Sequence, residues 1–340
     1  MYSTQNLEEF PPPPGVIGSL RAGFDAVSRH VGLIVLPAVL DILLWLGPRL
    51  SVDGLLSPAL TLIFNQARLT VTSSADLSQY AQIQAAFNEL VAHFNLLSLL
   101  GRLQVFPVGV SSLSAQTMPV ETPFGSQQVL EVSSSPLVLG LGLLLIVTGW
   151  VLGGLYFRWV SGTALGEQPE TSISSLWAIL QTLILSVTWM VGLLVFLVPT
   201  MFLLVVLMKL NPALASGVLL VLLILSFWLI VPLFFTPHGI FVRKQNAFYS
   251  IFTSLRMARF TLPTSGLFVV CVFLLTTGLN YLWSVPPDNS WMKLVGIGGH
   301  AFITTALLAA SFVYYRDMNV WLQTVFERLQ KKQSMPTQQA

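Results

Sequence analysis

Residues 15–50 set a pattern that the rest of the chain returns to. Gly15–His30 (GVIGSLRAGFDAVSRH) puts Val16, Ile17, Leu20, Phe24 and Val27 on one helical face and Arg21, Asp25, Ser28 and Arg29 on the other. That spacing predicts an amphipathic helix lying along a surface. Val31–Leu50 is then almost wholly apolar, and about 20 such residues cross a bilayer at about 1.5 Å per residue. Five further runs are long enough: Pro136–Phe157, Trp177–Leu207, Ala213–Phe235, Thr264–Trp283 and Leu294–Tyr315. The expected fold is all-α, a polytopic membrane protein with six transmembrane helices. The third run exceeds the need, so Pro199 is expected to kink it or let it emerge obliquely. Lys209-Leu-Asn-Pro212 supplies the turn to the fourth.

Between the first two spans lies Ser51–Ser135, the one large extramembrane segment. Ser57–Leu69 reads as a short helix. Ser73–Leu103 reads as a longer one, with Leu77, Tyr80, Phe87, Val91, Phe94 and Leu97 on one stripe. Beyond Gly101 the pattern is irregular and broken by Pro107, Pro119 and Pro123. Such stripes need a partner, so residues 51–135 are expected to form an extracytoplasmic helical lid on the ends of the spans, or a docking surface. Residues 1–14 are acidic and end in four prolines. They are expected to be a disordered, stiff polyproline arm and not a cleavable signal. Residues 136–315 carry the other five spans, and 316–340 form a tail.

Composition places the chain in lipid: 54% of residues are hydrophobic and 9% charged, against roughly 25% charged in soluble domains. The net charge of +2 is too small and scattered to suggest nucleic acid. Cys271 is the only cysteine, which rules out an intrachain disulfide and makes a metal site improbable; no metal and no cofactor are expected. With the N-terminus inside, eleven of the sixteen Lys and Arg face the cytoplasm and five face out. The positive-inside rule then predicts a multi-pass protein of the cell inner membrane with both termini cytoplasmic.

Three segments preceding odd-numbered spans share a signature: Ile17-Gly-Ser-Leu20, Ile173-Ser-Ser-Leu176 and Ile251-Phe-Thr-Ser-Leu255. Ser175 to Ser254 is 79 residues and Ser19 to Ser175 is 156; the excess of 77 is close to the outer loop's length. The expected organisation is three repeats of interfacial helix plus transmembrane hairpin, the first carrying the lid as an insertion. Together with Leu20-Arg21, Leu255-Arg256, Leu36-Pro37 and Pro263, this resembles a group of six-helix bacterial membrane proteins. That group includes the membrane domain found beside glycerophosphodiester phosphodiesterases. The resemblance covers the membrane part and implies architecture without activity, since the phosphodiesterase domain is absent from the sequence.

Candidate chemistry is sparse. His30, His93, His238 and His300 lack ligand partners at helical spacing, and HExxH, P-loop and GxSxG motifs are missing. Gly109-Val-Ser111 bears a faint likeness to a membrane serine protease loop, but it falls in the outer segment and no active site is expected there. Gly149-xxx-Gly153 is a small-residue face for helix packing. Arg243, Lys244, Arg256 and Arg259 crowd one loop, where they are expected to contact anionic lipid headgroups. Asp41 lies mid-span on a stripe with Pro37, Trp45 and Pro48. It should face inward, protonated or paired, with His300 the expected partner and Asn280 the next choice. The leading expectation is a non-catalytic scaffold or partner subunit of the bacterial envelope, in contact with the bilayer and with another membrane protein. A transporter with Asp41 and His300 near its pathway is the alternative, and a membrane-embedded lipid enzyme is the third.

Overall fold

The computed structural model describes residues 11–68, 74–101, 106–167 and 173–333. Ten helices follow in order among them: α1 (Val16–Arg29), α2 (Val35–Leu46), α3 (Asp53–Arg68), α4 (Ser74–His93), the single turn α5 (Ser114–Thr117), α6 (Ser135–Leu165), α7 (Ser175–Leu210), α8 (Pro212–Arg243), α9 (Ala247–Trp283) and α10 (Lys293–Gln333). Two 3-10 turns, Val31–Ile34 and Leu96–Leu100, stand before α2 and after α4. The segment expected to be irregular contributes strands to two small sheets. In one, β1 (Arg49–Ser51) pairs in parallel with β4 (Val129–Glu131); in the other, β2 (Glu121–Thr122) pairs antiparallel with β3 (Gly125–Ser126).

Five helices, α6 to α10, are long and apolar enough to cross a membrane. A sixth span exists only if α1 and the Val31–Leu46 segment count as one, because the two are bent by 95°. The expected first span is therefore shorter than the apolar run. Pro37 explains where the helix restarts. Without an N–H it cannot bond back to Leu33, so it is tolerated only in the first turn of a new helix. Elsewhere the sequence punctuates as expected. Asn211 accepts from the N–H groups of Ala213 and Leu214 at 3.0 and 3.2 Å, capping α8 at the Lys209–Pro212 break.

The repeat does not appear as a repeated structure. Among the described residues, only the first unit has a separate leading helix: the third runs unbroken from Ala247 through Pro263 to Trp283, and residues 173–174 before α7 are not helical. Pro199 also stays inside α7. The buried face of α1 differs as well. Ser19, Gly23 and Val27 are buried, while Ile17 is 82% exposed. A Cβ on Gly23 would come within 2.4 Å of the Ala306 carbonyl and the Ala310 nitrogen. Only a small-residue seam lets α1 lie this close on α10, so packing overrides the apolar stripe.

The core has two parts. One gathers Val27, Leu33, Leu40, Tyr156, Phe157, Ile240 and Phe312 between α1, α2, α6, α8 and α10. The other stacks Phe268 on Tyr314 at 4.2 Å, with Phe235 and Tyr315 alongside. The Leu194–Leu210 part of α7 and the Leu214–Ile230 part of α8 expose most of their apolar side chains, as lipid-facing helices do. The proline arm is not wholly a free tether. The Pro11 carbonyl accepts from Trp321 Nε1 at 2.6 Å, which ties it to α10. Residues 1–10 lie outside the described residues.

Candidate functional site

Part of the 51–135 loop is built into the bundle. α3 and α4 form a hairpin in which Phe64 meets Tyr80 and Phe87 at 5.6 and 5.8 Å between ring centroids. The chain then turns inward. Val108, Val110, Ser112, Leu113 and Ser114 are all buried, held between α2, α6 and the start of α10. Residues 106–117 are thus a plug inside the bundle rather than a lid on helix ends.

Gly149 and Gly153 make room for it. A Cβ on Gly153 would sit 2.7 Å from Gly109 Cα, and one on Gly149 would sit 2.8 Å from the Leu100 carbonyl. The small-residue face of α6 therefore packs against the loop's backbone rather than against another transmembrane helix. Backbone is the least yielding neighbour, so glycine is required here.

The plug carries the polar groups that the spans need. Asp41 is 0% exposed and does point inward, with Pro37, Leu40, Leu44 and Trp45 on the same buried side of α2. Its Oδ1 accepts from Ser112 Oγ at 2.5 Å and from the Ser114 N–H at 2.8 Å. Ser112 Oγ in turn accepts from the Ala115 N–H at 3.0 Å, fixing the turn that becomes α5. The expected Asp41–His300 pair does not form. His300 Nε2 lies 3.2 Å from Ser111 Oγ, and its Nδ1 lies 2.7 Å from Asn280 Oδ1. Adjacent loop residues thus serve opposite sides, Ser112 reaching α2 and Ser111 reaching α10. The plug stands where direct contact would have been. Asn280 is His300's partner and not that of Asp41, and its Nδ2 donates to Gln116 Oε1 at 3.1 Å.

Several participants had no periodic signal in the sequence. Ser111, Ser112, Ser114 and Gln116 lie in an irregular stretch. Gln127 Nε2 donates to the carbonyls of Leu44 and Trp45 at 2.9 and 2.6 Å, closing the end of α2. Trp45 Nε1 donates to the Asp288 carbonyl at 2.7 Å. Lys293 is buried and paired with Asp288 Oδ1 at 2.7 Å. A cavity of about 90 Å³ runs beside the plug, lined by Ser111, Thr276, Thr304, Leu307, His238 and Ser311 among others. His238 Nε2 meets Ser311 Oγ there at 2.7 Å.

The four basic residues fall at the opposite end. Arg243 Nη1 donates to Asn319 Oδ1 at 3.2 Å, and Lys244 holds a left-handed conformation that closes α8. Arg256 and Arg259 are exposed on α9, interleaved with exposed Phe248, Phe252 and Phe260. Among the described residues no group of three His, Cys, Asp or Glu is placed to hold a metal ion. No protein-family model matches the chain, and neither does any curated protein or solved structure.

Proposed function

We propose that this chain is a scaffold or partner subunit of a bacterial inner membrane, with both termini cytoplasmic. The observation that carries the reading is the α3–α4 hairpin. α3 has no buried residue, and Leu62, Ile63, Phe87 and Leu90 stay exposed on the hairpin. An apolar surface held out on a two-helix arm suits the outer part of another membrane protein. The sealed Asp41 speaks for the same reading, since a conduit through it would need open space where Ser112 and Ser114 close the site. The resemblance to six-helix bacterial membrane proteins supports the envelope. A photocrosslinking residue at Ile63 or Phe87, activated in native membranes, is expected to give one adduct of discrete mass. A crosslink pattern indistinguishable from that of a lipid-facing position such as Leu220, or a proton or solute flux through reconstituted vesicles that Asp41→Asn abolishes, would contradict it.

Topology can be read with single cysteines in a Cys271→Ala background. Ser112, an accessible position by sequence, is buried and unsuitable. Phe124, 77% exposed, replaces it. Phe124→Cys and Gln330→Cys are expected to react with an impermeant thiol reagent from opposite faces; reaction from one face only overturns the orientation. At the basic end, each exposed arginine near an anionic leaflet contributes about 1 kcal/mol. The double change Arg256→Gln, Arg259→Gln is expected to weaken binding of anionic lipid to the purified protein. Unchanged binding would leave these residues the topological role alone.

A further inference from the structure

Ser111, His300 and Asn280 come from the plug, α10 and α9, and they meet in one line. Asn280 Nδ2 donates to Gln116, which leaves Asn280 Oδ1 facing His300 as an acceptor. An acceptor at that nitrogen makes Nδ1 the protonated one. The lone pair of Nε2 then points at the Ser111 hydroxyl, 3.2 Å away. This is the relation of nucleophile, base and orienting group that acyl-transfer centres share. Ser111 also differs from its neighbour. Ser112 is locked against Asp41, whereas Ser111 is half-buried and lines the 90 Å³ cavity. That space suits about three waters or a short acyl group.

We infer that Ser111 is a nucleophile, with His300 its base and Asn280 a positioning residue, in a centre that hydrolyses carboxylic esters of short acyl groups near the loop face. His300 is itself buried, seven residues into α10 and about 10 Å from its start, so the half-buried Ser111 is the open side of the centre. Ser111 Oγ attacks the ester carbonyl carbon as its proton passes to His300 Nε2. The bond to the leaving alcohol breaks, and that alcohol takes the proton from Nε2. Water then attacks the acyl-serine with His300 again as base, releasing the acid and restoring Ser111. The inference adds a chemical activity to the scaffold reading and does not depend on it.

The test uses the purified full chain, a fluorophosphonate probe and p-nitrophenyl acetate. The expected result is a single phosphonate adduct on the peptide carrying Ser111, and acetate release lost in Ser111→Ala and reduced at least tenfold in His300→Ala. Asn280→Ala should lower kcat with little change in KM, and Asn280→Asp should restore it. The adduct is read on the unaltered chain, so an unstable variant cannot obscure it. No adduct on Ser111 under conditions that fully modify a known serine hydrolase, or an adduct at another serine, overturns the inference.

Discussion

Asp41→Leu is expected to lower the stability of the bundle by about 2–5 kcal/mol, because it leaves two buried donors without an acceptor. Those donors are the Ser112 hydroxyl and the Ser114 N–H, which share one oxygen of Asp41. Neither can turn to water, since both residues are buried on the inner side of the plug. Leucine also brings branched methyl groups into a fully buried site. Asp41→Asn keeps an acceptor for both donors and puts only its amide nitrogen in the place of the unpartnered Oδ2, so it should cost less than the leucine change, about 1–3 kcal/mol. The two variants separate a structural carboxylate from one that must ionise. Thermal unfolding in detergent, followed by loss of monodisperse protein, reads the difference. A leucine variant as stable as the parent would remove the structural role assigned to Asp41.

The second large effect lies across the bundle, at Gly153. Gly153→Val places a branched side chain where a Cβ alone would be 2.7 Å from Gly109 Cα and 2.9 Å from Gly109 N. No side-chain rotation relieves a clash with backbone, so either α6 or the plug must move. The plug is the weaker element, being held by turns and hydrogen bonds rather than by a continuous helix. Its displacement withdraws Ser112 and Ser114 from Asp41 as well, so the overpacking cost of about 1–3 kcal/mol adds to the loss of those bonds. Gly140, on the same helix, has nothing within 4 Å of its Cβ position, and Gly140→Val is expected to be nearly neutral. Equal stability of the two valine variants would mean that the plug does not seat against Gly153.

The contrast between these two sites shows what the sequence could convey. The spans, the Asn211 turn and the inward direction of Asp41 were legible because each is a local consequence of hydropathy, capping or the cost of a carboxylate in lipid. The plug was not. Residues 106–117 have neither a period of two nor of 3.6, and Pro107 and the three serines mark an irregular loop. They are buried because Gly149 and Gly153 offer a groove and because Asp41 needs donors, and both reasons are tertiary. One signal was available. A mid-span carboxylate requires hydrogen-bond donors, and Ser111-Ser112-Leu113-Ser114 is a serine-rich stretch flanked by Val108 and Val110. The pairing of Asp41 with His300 failed for the same reason: hydropathy along two helices cannot reveal a third segment between them. The α1 seam was misread because apolarity marked Ile17, whereas close approach to Ala306 and Ala310 selected Ser19 and Gly23.

The re-entrant plug is the claim from which the sealed Asp41 and the Ser111 line both follow, and its burial can be measured directly. Val110 is 0% exposed and Phe124 is 77% exposed, fourteen positions apart on the same loop. Each is replaced singly by cysteine in a Cys271→Ala chain and treated with an impermeant thiol reagent in intact membranes. The fold described here predicts that Phe124→Cys reacts fully while Val110→Cys stays protected until a denaturing detergent is added. Reaction of Val110→Cys at the rate of Phe124→Cys would mean that the loop lies outside the bundle, as the sequence alone suggests.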